Sequence, residues 1–470
     1  MMSAPTASPS EIEATQPTRR NQELGLLIFA WFVGTAALAI VGVGTGEGLP
    51  DRFWLTLGVT AGAGLIAHGV VRALAPYAEP IMLPTAFLLN LLGLAMIYRL
   101  DIAASQRAVE NGSPEPTPES LGQLTWTIVG IGLLCVILLI VRDHRKLQRY
   151  TYISLLLGVL LLLMPLFPII GHTVNGATLW IKIGPFTYQP GELAKIVLTI
   201  FMAGYLVIHR DSLANVRRKV LGISLPRLRD TGPLLGAWVL ALAIMAFEQD
   251  LGTAVIFFGL FVAMVYVATQ RFGWVVLGAG MFLVGATLLY LTFDHVRVRV
   301  EIWLDPFQYA NDSGFQIVQS LYGLANGGMF GTGLGQGYPQ LVPFASSDFI
   351  LAAFGEELGL TGIMALLLLY GILVQRGLRT ALSCRDVFGR LLASGLSVVF
   401  ALQVFVVAGG VTKLIPMTGL TTPFLSAGGS ALIANWIMIG LLLRISDITR
   451  RPPPAGSREL TPPPQKVTPS

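Results

Sequence analysis

The sequence predicts an all-α, polytopic integral membrane protein with about twelve transmembrane helices. Of its 470 residues, 54% are hydrophobic and only 12% are charged, and the mean hydropathy is +0.69. A soluble protein carries about twice that charged fraction. The apolar residues come in blocks of about 16–28, long enough to cross a hydrocarbon core of about 30 Å. A transmembrane β-barrel would instead show alternating segments of about 10 residues.

The apolar blocks follow one another along the whole chain. The predicted spans are 24–43, 53–74, 80–98, 124–141, 152–170, 190–208, 232–247, 250–269, 273–293, 347–375, 388–411 and 429–446. Residues 1–23 are polar and a full-length span follows, so we expect no signal peptide. Cys135 and Cys384 fall within or at the inner end of spans, which argues against a disulfide or a metal site.

Lys and Arg side chains concentrate in the loops after spans four, six and ten. These residues are Arg142, Arg145, Lys146, Arg149, Arg210, Arg217, Arg218, Lys219, Arg227, Arg229, Arg376, Arg379, Arg385 and Arg390. The three loops share one side of the membrane with both termini, and positively charged loops are typical of the cytoplasmic side. The net charge of +5 therefore sets topology and does not indicate nucleic-acid binding. The opposite face is formed by 99–123, which is expected to be flexible, and by 171–189, 294–346 and 412–428.

The segment NGATLWIKIGPFTYQPGELAK, which ends at Lys195, is a polar re-entry between two spans. Glu192 and Lys195 lie one helical turn apart at the start of a span, where charges are costly and often functional. The alternative is a structural ion pair that neutralises itself. Trp180, Lys182 and Gln189 precede them as candidate substrate-binding residues, although Trp180 also fits an interfacial anchor.

A second polar interruption, Glu248-Gln249-Asp250, separates spans seven and eight. Two carboxylates at such a break suggest a hinge that lines a cavity, because irregular backbone at membrane depth must be covered by protein or water. The alternative is a tight turn in which Asp250 caps span eight.

The long outer loop 294–346 carries the candidate catalytic acids, Asp305 and Asp312. Arg297 and Arg299 alternate with apolar residues, which predicts one polar face if the segment is extended. Arginines on such a face bind phosphate or pyrophosphate. Further candidate substrate-binding residues in this loop are Gln316, Gln319 and Ser320. Taken singly, each of these residues also fits a solvated loop.

Three more polar features belong to the same face. The glycine-rich stretch at 327–337 lacks the strand–turn–helix context of a dinucleotide fingerprint, so it is interpreted as tight turns that allow close backbone approach. Asp348, Glu356 and Glu357 interrupt an apolar span, and the first two would share a helix face at a spacing of eight. Lys413 and Ser426 flank a Pro-broken re-entry into the last span.

The order and composition of these motifs resemble the SEDS family (shape, elongation, division and sporulation), whose members include RodA and FtsW. The matching stretches are NGATLWIKIGPFTYQPGELAK, QDLGTA, GFQIVQSLYGLANGGMFGTGLG, SDFILAAFGEELGLTG and GLTTPFLSAGGS. The resemblance covers residues 150–447. Because the family core has ten spans, the resemblance implies two extra N-terminal spans, as in a RodA-type variant.

The resemblance also implies an organisation of the chain. Residues 1–22 and 450–470 are Pro-, Ser- and Thr-rich and are expected to be disordered cytoplasmic tails. Residues 23–150 hold the N-terminal spans, including the extra ones. Residues 151–449 form the catalytic transmembrane core, with its large extracellular loop at 294–346.

The chain departs from the family pattern at several positions. Gly191 replaces a Ser, Glu248-Gln249 replaces Gln-Pro, and Ala427 replaces a Tyr. Family members carry the favoured catalytic base in an Asp-Pro step about six residues before the Gly-aromatic-Gln end of the loop, where this chain has Tyr309. Asp305, which keeps an Asp-Pro step, is the first candidate for this base, and Asp312 is the second.

The resemblance implies a peptidoglycan glycosyltransferase of the plasma membrane that acts in cell-wall elongation and cell shape. It would polymerise lipid II, an undecaprenyl-pyrophosphate-linked substrate, at the extracellular face beside a class B penicillin-binding protein. An aspartate would deprotonate the GlcNAc hydroxyl of the acceptor, and pyrophosphate would leave with inversion. A divalent cation, Mg or Mn, could share the charge, although the sequence shows no dedicated metal cluster. The alternatives are a lipid II flippase and a non-catalytic scaffold of the elongation or division complex.

Overall fold

A computed structural model describes residues 18–50, 52–174, 177–184, 186–214, 218–220, 223–225 and 228–452. Most of both predicted tails lies outside the described residues. So do Asn175 in the re-entry and the loop residues Arg217 and Arg227.

Helices account for most of the described residues. They are α1 Arg20–Gly44, α2 Phe53–Leu74, α3 Met82–Glu110, α4 Glu119–Ile140, α5 Thr151–Leu163, α6 Pro190–Ala214, α7 Leu228–Glu248, α8 Leu251–Thr269, α9 Gly273–Thr292, α10 Asp294–Leu304, α11 Phe315–Gly327, α12 Ile350–Ser383, α13 Val387–Val411 and α14 Gly429–Arg450. Five short strands accompany them: β1 Gly171–Val174, β2 Ala177–Ile183, β3 Phe186–Tyr188, β4 Arg218–Val220 and β5 Ile223–Leu225.

The predicted membrane class is confirmed. Within the described residues, eleven helical segments are long and apolar enough to cross a membrane. The predicted seventh span coincides with α7, a helix of 21 residues. With α7 included, the long helices match the twelve predicted spans one for one, and the chain is a multi-pass membrane protein.

Central helices pack through small residues and buried polar groups. A Cβ on Gly130 of α4 would lie 2.4 Å from the Trp436 ring of α14, so only glycine allows these helices to approach so closely. The Trp436 indole donates to Asn90 Oδ1 at 3.2 Å, and Asn90 donates to Thr127 Oγ1 at 2.9 Å. Small residues and interhelical hydrogen bonds of this kind hold helices together in lipid, where burial of apolar surface gives little drive.

Helices α6, α8, α12 and α14 all begin at one end of the bundle, here called the site end. The re-entry between α5 and α6 forms an antiparallel sheet there, in the order β1-β2-β3, with Ile181 opposite Tyr188. The polar re-entry is therefore a small β-meander, which the all-α prediction did not contain. The second pair, β4 and β5, follows α6 at the opposite end.

Two predictions about outer segments are wrong. Residues 99–123 are not a flexible loop, because α3 continues to Glu110 and α4 begins at Glu119. The Asp101 carboxylate accepts the backbone N–H groups of Glu119 and Ser120, both at 2.9 Å, and so fixes the start of α4. Residues 294–304 are likewise not extended but form α10.

The glycine-rich segment 327–337 packs against a break in α12. Gly359 interrupts that helix with φ 69° and ψ −170°. A Cβ at Gly359 would lie 2.3 Å from the Gly331 nitrogen, so the crossing requires glycine. The segment also reaches the first helix, since Gln336 Nε2 donates to the Gly44 carbonyl at 2.6 Å. The glycines therefore provide the close backbone approach predicted from the sequence.

Candidate functional site

A cavity of about 290 Å³ opens at the site end, between α10, α11, the turn before α12 and the segment after α13. Its polar lining consists of Arg299, Trp303, Ser313, Gln316, Asp348 and Lys413. Apolar walls come from residues such as Ile302, Phe344 and Ile415. Two cations, one acid and an indole beside apolar walls suit a ligand that carries both an anionic group and a hydrocarbon portion.

The helical form of α10 decides which arginine faces the cavity. Arg299 and Trp303, four residues apart, share a helix face. Arg299 Nη1 donates to the Met417 carbonyl at 3.2 Å, and Trp303 Nε1 donates to the Lys413 carbonyl at 3.1 Å. Arg297 is not among the cavity residues but pairs with Asp294 at 3.4 Å. The prediction that both arginines lie on one face is therefore wrong.

Asp348 lies inside the cavity and not on the helix to which the sequence assigned it. Helix α12 begins at Ile350, so Asp348 precedes it and does not share a helical face with Glu356. Burial raises the pKa of the Asp348 carboxyl, and a hydrogen bond from Ser347 and the charge of Arg299 oppose that rise. Burial also lowers the pKa of Arg299, against the nearby charges of Asp250 and Asp348. These three groups form one electrostatic cluster.

Asp250 joins this cluster to the start of α8. Its carboxylate accepts the Thr253 N–H at 2.8 Å, so the predicted capping role is present. Burial raises the pKa of Asp250, while the Thr253 hydrogen bond and the charge of Lys195 lower it. Asp250 is thus both a cap and a buried charge close to Arg299.

Lys195 and Glu192 form a buried ion pair in the first turns of α6, with Nζ and Oε2 2.8 Å apart. Lys195 also donates to Gln403 Oε1 of α13 at 3.0 Å, and Gln403 donates to the Thr421 carbonyl at 2.9 Å. Thr421 lies in the same connecting segment as Gly419, which lines the cavity. The ion pair does not line the cavity. It supports one wall of the cavity through Gln403 and the segment that carries Thr421.

The two acids predicted to be catalytic lie on loops beside the cavity and not among its lining residues. Asp305 directly follows α10, two residues beyond Trp303, and is exposed. From the part of the chain that the structure describes, its carboxylate accepts one long contact, from the Gln308 N–H at 3.4 Å. Asp312 is also exposed, in the turn before α11 and next to the lining residue Ser313.

Some polar residues of α11 line the cavity, and others pack against neighbouring helices. Gln316 lines the cavity, whereas Gln319 is not among its lining residues. Ser320 is buried and donates to the Val411 carbonyl at 3.3 Å, which joins α11 to the end of α13.

The residues predicted from the re-entry lie at the site end but outside the cavity. Trp180 and Lys182 are on β2, and Lys182 is exposed. The Gln189 backbone N–H donates to Ser430 Oγ at 2.9 Å, which links the start of α6 to that of α14. Ser426 accepts from the Thr422 N–H at 2.8 Å and donates to the Ser347 carbonyl, which braces the turn that carries Asp348.

Glu356 and Glu357 hold the glycine-rich segment in place. Glu356 Oε1 accepts from Asn326 Nδ2 and from the Tyr338 N–H, each at 3.0 Å. Glu357 accepts from Arg99 Nε at 2.9 Å and from the Gly335 N–H at 3.0 Å. Both acids are buried and hydrogen-bonded to this segment or to its neighbours.

Sequence reasoning missed Gln403 and Arg99, two partners of these buried charges. Each carried a detectable signal: Gln403 is a polar residue in the middle of an apolar span, and Arg99 directly follows the third span. Polar groups at membrane depth are costly and need a partner, so such residues identify the partners of other buried charges.

Within the described residues, one group of three side chains brings possible metal ligands together. Donor atoms of His144, Cys384 and Asp386 lie within 4.8 Å of one another, at the end of the bundle away from the cavity. His144 Nε2 lies 2.9 Å from Asp386 Oδ1, and the Arg145 guanidinium lies 3.8 Å from the same carboxylate. This arrangement suits a hydrogen-bonded pair that ties the α4–α5 turn to α13. Cys384 and Cys135 are both free thiols.

Comparisons with known proteins agree with this architecture. A family model described as a cell cycle protein, FtsW/RodA/SpoVE, matches residues 80–451. The protein named peptidoglycan glycosyltransferase RodA of Mycobacterium tuberculosis is 47% identical over 450 residues, which cover 95% of this chain and 94% of the relative. Stage V sporulation protein E of Bacillus subtilis is 34% identical over 323 residues, covering 68% and 85%.

One solved structure supports the same assignment. A chain from a peptidoglycan synthase complex, described as coordinating polymerization and crosslinking, aligns with a TM-score of 0.57 and 29% identity over 75% of this chain and 96% of its own. Ten of the long helices, from α3 to α14, lie within the matched residues 80–451, and α1 and α2 precede them. The SEDS resemblance and the ten-plus-two organisation of the spans are therefore confirmed, and the chain belongs to the FtsW/RodA/SpoVE family of cell cycle proteins.

Proposed function

We propose that this protein polymerises lipid II into glycan strands at the outer face of the plasma membrane. The protein is a peptidoglycan glycosyltransferase, as its mycobacterial relatives named RodA indicate at 47% identity over nearly the whole chain. The single observation that carries the site assignment is the cavity in which Arg299, Lys413 and Asp348 meet apolar walls. A lipid-linked sugar pyrophosphate has the matching combination of anion, sugar and hydrocarbon.

The cations of the cavity are proposed to hold the pyrophosphate of the donor. Arg299 is fixed by its bond to the Met417 carbonyl, and Lys413 lies across the cavity on the segment after α13. Negative charge grows on the pyrophosphate as its bond to the anomeric carbon of the donor sugar breaks. Fixed positive groups therefore stabilise the transition state more than the ground state. Trp303 offers an indole face against which a sugar ring can pack.

A loop aspartate beside the cavity is proposed to take the proton from the acceptor hydroxyl. Asp348 already faces Arg299, whereas no described cation lies within ion-pair distance of Asp305. A general base needs a free lone pair within hydrogen-bond reach of the hydroxyl. Asp305 is therefore the first candidate, and Asp312, on the other side of the same loop, is the second. The hydroxyl oxygen bonds to the anomeric carbon, the pyrophosphate leaves from the opposite face, and the configuration inverts.

The orientation proposed for the membrane places the cavity outside and both termini in the cytoplasm. Its support is the excess of Lys and Arg in the loops after α4, α6 and α12, at the end opposite the cavity. A class B penicillin-binding protein is the proposed partner, since a structural relative comes from a synthase complex that combines polymerization with crosslinking. A divalent cation beside the pyrophosphate remains part of the proposal.

The test is a polymerisation assay on labelled lipid II, with purified protein alone and with its partner, with and without Mg²⁺ or Mn²⁺. Asp305→Asn should reduce glycan formation by about 10²–10⁴-fold, the usual contribution of a general base. Asp294→Asn is the matched control, because it removes an exposed acid of α10 that does not line the cavity. Full activity in Asp305→Asn with loss in Asp312→Asn would move the role to the second acid. Lipid II translocation across vesicles without glycan product would overturn the glycosyltransferase proposal in favour of a flippase.

A further inference from the structure

A second groove lies at the opposite end of the bundle, where α1 begins. It has a volume of about 480 Å³ and is formed by the first turns of α1, the turn before α3, and α12. Arg19, which directly precedes α1, and Gly25 of α1 line one side, and Glu79 and Ile81 from the turn and Arg376 from α12 line the others. It therefore joins the extra N-terminal helix to the core that the family shares.

The charge around this groove is predominantly positive. Glu79, the only acid among the described lining residues, is buried and pairs with Arg450, and its other oxygen lies 3.8 Å from Arg376 Nη1. The buried Nε of Arg376 has no hydrogen-bond partner among the described residues. No carboxylate of the described residues pairs with Arg19. Arg19 and Arg20 lie close enough to Arg450 for the like charges to repel.

The nearby acid Glu23 does not neutralise this excess. Both of its oxygens are engaged, one by Arg20 and the other by His68 Nδ1 at 2.8 Å. Arg376 and Arg450 thus share the carboxylate of Glu79, and Arg19 has no carboxylate partner among the described residues. An anionic ligand with several acceptor oxygens would supply the missing charge and accept the unused N–H of Arg376.

The outer surface of α1 continues this basic groove with apolar side chains. Leu26 is 41% exposed and Phe29 is 62% exposed. At a rise of 1.5 Å per residue they lie about 9 Å and 14 Å along the axis from Arg20, which is the order of the distance from phosphate to acyl chains. The site of a Cβ on Gly25 has nothing within 4 Å, so the groove is open between the two zones.

We propose that this groove binds one anionic phospholipid of the adjacent leaflet. Its phosphate lies between Arg19 and Arg376, and an acyl chain follows Leu26 and Phe29 along α1. Basic pockets between transmembrane helices recognise anionic headgroups in this way. The bound lipid links α1 to α12 and offsets the repulsion among the arginines. The lipid is not the substrate, because the groove and the cavity lie at opposite ends of the bundle.

The test uses the purified full chain in detergent, titrated with mixed micelles of palmitoyl-oleoyl phosphatidylglycerol or of phosphatidylcholine with the same chains. Thermal unfolding and native mass spectrometry report the binding. Phosphatidylglycerol should raise the unfolding temperature and remain bound, and phosphatidylcholine should do neither. Arg19→Gln should weaken the phosphatidylglycerol affinity about fivefold, the factor expected for one basic group at an anionic membrane surface.

Two variants keep this test independent of folding and of total charge. Gly25→Leu fills the groove without loss of charge, and its Cβ meets no atom within 4 Å, so it should also abolish the lipid-dependent shift. Arg149→Gln removes an exposed arginine from the same end of the bundle and should leave the shift unchanged. Equal shifts with the two lipids, or equal losses in Arg19→Gln and Arg149→Gln, would overturn the proposal.

Discussion

The buried pair of Lys195 and Glu192 should couple strongly, so that losing one partner costs more than losing both. Their side chains are 0% and 3% exposed, with Nζ and Oε2 2.8 Å apart. Removal of one partner of such a pair costs about 3–5 kcal/mol, because the other charge remains buried and uncompensated. Lys195→Met also leaves Gln403 Oε1 without its donor.

These costs translate into measurable shifts of the unfolding temperature. An unfolding entropy of about 2.1 cal/mol/K per residue gives about 1 kcal/mol/K for a chain of this length. Lys195→Met or Glu192→Gln should therefore lower the midpoint by about 3–5 °C. The double variant should lose only about 1–2 °C, since it leaves no net charge behind.

Tryptophan fluorescence of the detergent-solubilised protein during heating measures these midpoints. Lys182→Met is the matched control, because that lysine is exposed on β2. It should shift the midpoint by less than about 0.5 °C, as surface substitutions usually do. A double variant as unstable as the sum of the single variants would refute the coupling and the supporting role inferred for the pair.

Three further outcomes are expected. Asp348→Asn should remove one ionisation step from the acidic limb of the kcat/KM profile on lipid II, while the step of the general base stays. Asp348 holds Arg299 only in its ionised form, and because burial raises its pKa, this step should lie above the pKa of an ordinary aspartate, about 3.9. Lys413→Gln should lower kcat/KM about 10–100-fold while the unfolding temperature stays unchanged, a loss of about 1.4–2.7 kcal/mol of pyrophosphate stabilisation. Gly359→Ala should lower the unfolding temperature by several degrees, since a Cβ there meets the Gly331 nitrogen, whereas Gly371→Ala in the same helix, with nothing within 4 Å, should not.

The membrane architecture could be predicted because lipid imposes a simple rule on the sequence. Each span must be apolar and about 20 residues long, so the twelve blocks correspond to the long helices. Polar interruptions were equally visible, because a charge such as Lys195 at membrane depth is costly and rare. The side-chain partners were harder to predict, since the contact of Lys195 with Gln403 joins residues 208 positions apart.

The outer loop was predicted least accurately, for a physical reason. The alternating pattern around Arg297 and Arg299 fits an extended segment, yet the same five or six residues also fit one and a half turns of helix. Bonds from Arg299 and Trp303 to the carbonyls of the segment after α13 accompany the helical form, and that segment is more than 100 residues away. Asp348 was assigned to a helix because apolar residues follow it directly, while the turn that holds it depends on Ser426, 79 positions beyond Ser347.

The bond between Gln336 and the end of α1 has a consequence for biogenesis. The Gly44 carbonyl is synthesised 292 residues before the side chain that donates to it. At about 5–20 residues per second, α1 waits about 15–60 s in the membrane before its partner emerges. During that interval α3 can hold α1, but the glycine-rich segment cannot yet close over it. A chain that began at α3 would lack this contact, because Gln336 would lose the Gly44 carbonyl to which its side chain donates.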